Sequence, residues 1–148
     1  MTYDEIVRFH GHECPGLAIG YKMATAAMES LESLRAEDEE LVAIVENDAC
    51  GVNALQCVTG CTFGKGNLIH LDYGKTAFTF IRRSDGKAVR IVVRPGALGE
   101  PCAEYQHLAE RLQTGQATPE EHARYIQLHE QRGDQVLDMP VADLLEIR

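Results

Sequence analysis

Two histidines, a carboxylate and a thiol lie within five consecutive residues near the start of this sequence. They are His10, His12, Glu13 and Cys14, and Pro15 follows directly. Proline is well tolerated at the first position of a helix, so we expect Cys14 at the N-cap, where unpaired N–H groups and the helix dipole favour an anion. The thiol should therefore be acidic, and a thiolate is both a nucleophile and a metal ligand. The segment predicts a metal site or a reactive cysteine.

Two other cysteines lie where the chain is expected to change direction. Cys50 follows the polar residues that end a predicted buried strand. Cys61 lies within the loop of residues 60–66, which contains three glycines. Glycine lets a backbone turn sharply and lets a ligand approach it closely. Cys57 precedes Cys61 by four residues among apolar neighbours, and no CxxC pair is present, which excludes a zinc ribbon with four cysteine ligands.

The ligand set that these residues suggest combines imidazole and thiolate. Residues two apart in an extended chain share a side, so both histidines could converge on Cys14, but a turn at the intervening glycine would affect His10 more than His12. We predict that His12, Cys14 and Cys61 bind a transition metal, with Cys50 and His10 close by. Zinc suits three such ligands with one open position, and nickel or iron could occupy the same set.

The charge distribution suggests what kind of partner the protein has. The net charge of −9 argues against nucleic acid and anionic membranes. Residues 51–99 nevertheless hold two acids against seven bases. Lys65 and Lys75 stand beside glycines in this basic segment, and we predict that they hold a small anionic ligand. The alternative is that these bases pair with the acidic residues on either side.

The elements that position these residues indicate an α+β fold, with a mostly antiparallel sheet of about four or more strands between N-terminal and C-terminal helices. A capping box at Thr2 and Glu5 starts a short helix. The next helix carries Gly16 and Gly20 one turn apart, which would let another backbone come close. Predicted strands cover residues 41–45, 68–72, 77–83 and 88–94, and predicted helices cover about 15–35, 52–58, 104–113, 118–132 and a last short segment from Met139.

Length and composition fit one globular domain over residues 1–148. No apolar run is long enough to cross a bilayer, and the first residues lack the apolar core of a signal peptide, so we expect a cytoplasmic protein. An odd number of cysteines in that compartment favours metal or redox chemistry over disulfides.

Four linked motifs resemble the FmdE family of formylmethanofuran dehydrogenase subunits over about residues 5–95. Asn53 departs from the pattern, because an acid is expected there. The resemblance implies an α+β core, a homodimer, a metal site built from the His/Cys motifs, and association with a molybdenum or tungsten oxidoreductase. The zinc finger that many members add is absent, and a helical extension is expected over about 100–148. The motifs are Phe9–Leu17, Asp48–Cys50 with Ala54–Gln56, Thr59–Thr62 with Gly64–Leu68, and Asp72–Lys75.

Three functional hypotheses follow. The first is a zinc-binding, homodimeric protein accessory to C1 or redox metabolism. The second is a self-sufficient metalloenzyme that uses the same site on a small anionic substrate, and the third is a redox-sensing thiol protein. The sequence contains no iron–sulfur cysteine run and no complete catalytic machinery, so it leaves open whether the chain is an enzyme.

Overall fold

Local sequence signals set the ends of most elements in this computed structural model, which describes all residues from Met1 to Arg148. The capping box of Thr2 and Glu5 starts the first helix, and Gly11, with a φ of 102°, ends it. The helices are α1 (Tyr3–His10), α2 (Pro15–Leu31), α3 (Gly51–Thr59), α4 (Ala103–Gln113), α5 (Pro119–Asp138) and α6 (Val141–Leu144). The strands are β1 (Leu41–Val45), β2 (Leu68–His70), β3 (Ala77–Arg82), β4 (Ala88–Val93) and β5 (Leu145–Ile147).

The strands form one sheet in the order β2-β1-β3-β4-β5. Strands β1 and β2 are parallel, and the three other pairs are antiparallel. The predicted α+β class and mostly antiparallel sheet are confirmed. The main core lies between this sheet and α2, where buried Phe78 and Phe80 meet alanines and Met23 of the helix.

The end of the chain differs from the prediction. The sequence predicts that residues 145–147 continue a last helix, but they form β5, which pairs with β4. Leu145 is buried in the main core, whereas Ile147, at the far end of this edge strand, is exposed. Buried Lys22 of α2 donates to the carbonyls of Leu137 and Met139 and so ties α2 to the end of α5. The segment after residue 100 therefore supplies both sheet and core contacts.

Helices α2 and α3 approach each other so closely that their backbones touch. A Cβ atom at Gly20 would lie 2.3 Å from both the Cα and the carbonyl oxygen of Gly51, so only glycine fits at that crossing. The prediction that Gly16 and Gly20 admit another backbone is confirmed. The contact brings the start of α3 against the start of α2.

None of the helices is both long enough and apolar enough to cross a membrane.

Candidate metal centre

Cys14 occupies the N-cap of α2, as the sequence predicts. Pro15 is the first helical residue, and the Cys14 sulfur accepts a hydrogen bond from the Leu17 N–H at 3.3 Å. The side chain is only 3% exposed, because α2 and a small cluster of apolar residues cover it. The cap fixes the position of the sulfur at the end of the His10–Cys14 segment.

The acidity predicted for Cys14 is wrong for the protein without a bound cation. Burial, opposed by the Leu17 N–H and assisted by the neighbouring Cys50 thiol, raises the pKa of the Cys14 thiol to about 11. Burial of a thiolate away from water outweighs one helix-cap hydrogen bond. A metal cation beside the sulfur would restore the thiolate form.

Cys50 is the N-cap residue of α3 and is separated from β1 by residues 46–49. Its thiol faces Cys14 across the α2–α3 contact. A Cβ at Gly16 would lie 3.4 Å from the Cys50 Cβ, so a larger residue at position 16 would crowd Cys50. Cys50 makes no hydrogen bond to cap its helix, which leaves its thiol free for other contacts. One ligand atom from each of His10, His12, Cys14 and Cys50 lies within 4.8 Å of the others.

His10 is held in one orientation by Asn53. The His10 Nδ1 and the Asn53 Oδ1 are 2.7 Å apart, and an amide oxygen only accepts, so Nδ1 carries the hydrogen. The lone pair of Nε2 is then available on the side of Cys14, whose sulfur lies 4.0 Å away. Hydrogen bonds of this kind orient metal-binding histidines in many proteins. His12 is exposed, and its ring centre lies 4.4 Å from that of His10.

The donor set fits a tetrahedral transition metal. Zinc bonds of about 2.0 Å to nitrogen and about 2.3 Å to sulfur place ligand atoms roughly 3.3–3.8 Å from each other. The four donors need only a small contraction from their present spacing to meet that requirement. Two imidazoles and two thiols suit zinc and also nickel or iron.

The structure does not bring Cys61 to this cluster. Gly60 ends α3 with a φ of 74° and packs so closely against Ala36 that a Cβ there would lie 2.2 Å from the Ala36 carbonyl oxygen. This turn sends Cys61 into the main core, where it is 0% exposed and where burial raises the pKa of its thiol. Cys61 therefore lies in the main core and not at the metal centre.

Lys65 and Lys75 do not border the metal centre either. The Lys65 ammonium donates to the carbonyls of Ala36 and Glu37, each at 3.3 Å, and so has a structural role. Lys75 is exposed, and its backbone N–H bonds to Glu46. Part of the basic segment pairs with acids, as the alternative interpretation proposes, because Arg90 forms a two-pronged ion pair with the Glu46 carboxylate at 2.9 Å.

A cleft of about 420 Å³ opens beside His10 and Cys50. Its floor comes from β1 and β2, and its walls come from α3 and the glycine-rich loop. The residues that line it are His10, Val45, Asn47, Asp48, Ala49, Cys50, Val52, Asn53, Gln56, Phe63, Leu68 and His70. The sequence does not predict this cleft.

Helix α5 closes the opposite side of the centre. Gly133 lies against the backbone of Cys14, where a Cβ would be 3.5 Å from the carbonyl carbon. Burial and the adjacent Asp134 carboxyl together raise the pKa of the Glu13 carboxyl to about 7. One turn earlier on α5, His129 accepts or donates a 2.7 Å hydrogen bond with the Tyr105 hydroxyl.

Comparison with known proteins finds relatives in sequence and in fold. A relative from Archaeoglobus fulgidus, named "Probable S-adenosyl-L-methionine-binding protein", is 45% identical over 89 residues, which are 57% of this chain and 24% of the relative. The chain thus spans about a quarter of that relative's length. A crystal structure of a tungsten formylmethanofuran dehydrogenase FmdE-like protein from Syntrophus aciditrophicus has a TM-score of 0.61 and 27% identity, and the match covers 100% of this chain and 71% of that one.

A family model extends the similarity through the C-terminal helices. The FmdE family, described as "Molybdenum formylmethanofuran dehydrogenase operon", matches residues 9–146, from the end of α1 into β5. The match includes all four residues of the candidate metal centre and the first two residues of the edge strand β5. This chain belongs to the FmdE family.

Proposed function

We propose that this protein binds one zinc ion through His10, Cys14 and Cys50, with His12 as an exchangeable fourth ligand. The observation that carries the proposal is the convergence of four donor atoms within 4.8 Å from two separate parts of the chain. Imidazole and thiolate are the usual ligands of zinc in proteins. Three fixed ligands and one exchangeable position are typical of a zinc site that receives a substrate or partner group.

The choice of His10 as the fixed imidazole rests on its surroundings. Asn53 holds the His10 ring, whereas His12 is exposed and has no hydrogen bond to fix its ring. A ligand whose orientation is already fixed loses less conformational entropy when the ion binds. The sequence favours His12 over His10 as the ligand, because it cannot show that Asn53 reaches His10 from another helix.

Bound zinc would supply a Lewis acid and lower the pKa of bound water. The protein's own groups hold and orient the ligands: the Leu17 N–H on Cys14 and the Asn53 amide on His10. As parts of the same proposal, the protein is a cytoplasmic homodimer that assists a molybdenum or tungsten oxidoreductase of C1 metabolism. Family membership supports this part, and size-exclusion chromatography with light scattering tests the dimer.

A second candidate function is a self-sufficient metalloenzyme. The observation that favours it is the cleft of about 420 Å³ that His10 and Cys50 border, since accessory metal sites need no such space. Turnover by the isolated protein would be required for this function. The redox-sensing hypothesis stays a prediction.

The experiment is metal analysis of protein purified without added metal, combined with zinc affinities from competition with a chromogenic chelator. We expect stoichiometric zinc in the wild type and its loss in Cys14→Ser, Cys50→Ser and His10→Ala. His12→Ala should weaken binding less than His10→Ala. Cys102→Ser is the matched control, because Cys102 caps a helix in the same way and lies outside the cluster.

Two results would contradict the proposal. One is full zinc content in both Cys14→Ser and Cys50→Ser. The other is loss of zinc in Cys61→Ala while circular dichroism shows an intact fold, because Cys61 would then be a ligand.

A further inference from the structure

The cleft beside the metal centre has the size of a site for a small organic molecule. Its volume of about 420 Å³ lies within the range of about 300–1,000 Å³ that is usual for ligand pockets. It is bordered at one end by His10 and Cys50, so a molecule in it would lie next to the proposed ion. The remaining lining residues therefore indicate which molecules fit.

The charge of the cleft disfavours an anion. Asp48 is its only acidic residue, and neither lysine nor arginine lines it. The two lysines that the sequence suggests for an anionic ligand lie elsewhere, and Lys65 bonds to backbone carbonyls. In the metal-free protein, a carboxylate or phosphate that entered would lose water without gaining a lysine or arginine partner.

The polar groups in the cleft are mainly side-chain amides. Asn53 uses its oxygen to bind His10, which leaves its amino group free to donate, and the side-chain amide of Gln56 makes no hydrogen bond within the chain. Asn47 accepts from the Ala49 N–H and likewise keeps its amino group. An amide offers both donors and acceptors, so these groups complement an uncharged ligand that itself has a donor and an acceptor.

An aromatic ring completes the cleft on the solvent side. Phe63 lines the cleft and is 83% exposed, although it is one of the larger apolar side chains of the protein. Val52 and Leu68 supply further apolar surface. An open aromatic face of this kind stacks well against a flat ring.

We propose that this cleft binds an uncharged molecule that carries a flat ring and an amide-type edge, with the ring on Phe63 and the edge toward Asn53 and Gln56. That the bound molecule is a substrate of the metal rests on the function proposed above. The preference for an uncharged ligand is a property of the lining residues, and so it is tested on metal-free protein, because an ion held by His10 and Cys50 would itself attract an anion.

Benzamide and benzoate test the preference, because they share size and shape and differ in an amide against a carboxylate. Binding is measured by two-dimensional NMR titration of the isotope-labelled protein after its metal has been removed, because benzoate could otherwise coordinate zinc. For a ligand of this size we expect a dissociation constant of about 1–10 mM for benzamide. Shifts should centre on Asn53, Gln56 and Phe63, and benzoate should bind at least about tenfold more weakly, since it places an unpaired charge in the cleft.

Variants assign the binding to the cleft. Phe63→Ala and Gln56→Ala should each weaken benzamide binding several-fold, and Leu34→Ala should not, because Leu34 is equally exposed but lies outside the cleft. The inference is overturned if benzoate binds as well as benzamide, if neither binds, or if Phe63→Ala leaves benzamide affinity unchanged.

The zinc content of the same variants separates the two proposals. Phe63→Ala should keep its zinc, because Phe63 is not a ligand. Absence of zinc from every preparation would contradict the proposed metal site, while benzamide binding by the metal-free protein would still support the cleft. Zinc binding without benzamide binding would overturn only the cleft.

Discussion

Cys14 and Cys102 show how identical local structure leads to different chemistry. Each cysteine is the N-cap of a helix in extended backbone conformation, and each sulfur accepts a hydrogen bond from the N–H three residues later, at 3.3 Å from Leu17 and 3.4 Å from Tyr105. Cys14 is buried, whereas Cys102 is exposed. The sequence around each residue determines the cap and nothing more.

Cys14 and Cys102 differ in the residues that the tertiary structure places around them. Around Cys14 lie His10, His12 and Cys50, of which Cys50 is 36 residues away in the chain. Cys102 belongs to no such cluster. A helix N-terminus favours an anion in both places, but only a group of converging donors can hold a metal. The comparison indicates that the α2–α3 contact, more than the cap, creates the candidate metal centre.

The largest expected effect comes from breaking that contact. Gly20→Ala would place a Cβ 2.3 Å from the Gly51 backbone, so the helices must separate. We expect a loss of about 3 kcal/mol or more in the free energy of unfolding, at the upper end of overpacking costs, together with reduced zinc affinity as Cys50 moves away. Urea denaturation and chelator competition measure the two effects.

Gly64→Ala is the control for this substitution. Nothing lies within 4 Å of a Cβ at Gly64, and its backbone is not in the left-handed region. Its stability should be close to that of the wild type. Equal stability of Gly20→Ala and Gly64→Ala would show that the helices can shift freely, and the explanation of the Cys14–Cys50 pairing would then fail.

A smaller effect is expected from releasing His10. Asn53→Ala removes the hydrogen bond that fixes the His10 ring, and loss of such a partner lowers metal affinity by about 10–100-fold. Asn53→Asp should restore affinity, because a carboxylate accepts from Nδ1 more strongly than an amide does. Competition with a chromogenic chelator gives the affinities.

Gln56→Ala serves as the control, because Gln56 lies one helical turn from Asn53 and does not contact His10. Its zinc affinity should equal that of the wild type. Unchanged affinity in Asn53→Ala would mean that His12, and not His10, is the fixed imidazole.

The sequence predicts those parts of the molecule that depend on neighbouring residues. The capping box of Thr2 and Glu5, the Pro15 start of α2 and the close approach at Gly20 all follow from local patterns and are present. Strand β5 could not be predicted, because three residues carry no clear alternation and their strand depends on the free edge of β4.

Only the part of the metal site that depends on neighbouring residues can be predicted from the sequence. The His10–Cys14 segment is local, and its pattern is visible in the sequence. The wrong expectation for the acidity of Cys14 comes from burial, which no local pattern reveals. The sequence suggests Cys61 from its glycine-rich surroundings, but the left-handed turn at Gly60 directs Cys61 into the core. Asn53 forms a hydrogen bond with His10, which is 43 residues away in the chain, and a contact of this kind is visible only in the three-dimensional structure.

The smallest expected effect is on the pH dependence of stability, and it comes from the acids near the two cysteines, Glu13 near Cys14 and Glu104 near Cys102. The pKa of Glu13 is raised from 4.5 to about 7 by burial and by Asp134, whereas the pKa of Glu104 is lowered by its ion pair with Arg124. Between about pH 4.5 and 7 the folded protein keeps a proton on Glu13 that the unfolded chain has released, so stability falls as pH rises through this range. The lowered pKa of Glu104 acts in the opposite direction and at lower pH.

Glutamine mimics the protonated carboxyl, so Glu13→Gln should remove the fall in stability that the wild type shows as pH rises. In metal-free protein we expect Glu13→Gln to match the wild type near about pH 4.5 and to be more stable than the wild type near about pH 8, as measured by urea unfolding across that range. Glu104→Gln is the control, and it should be slightly less stable than the wild type at the higher pH, because it loses an ion pair at the surface. A Glu13→Gln difference that does not change with pH would mean that the Glu13 carboxyl is solvated and ionised in the folded protein, and α5 would then not close this side of the metal centre.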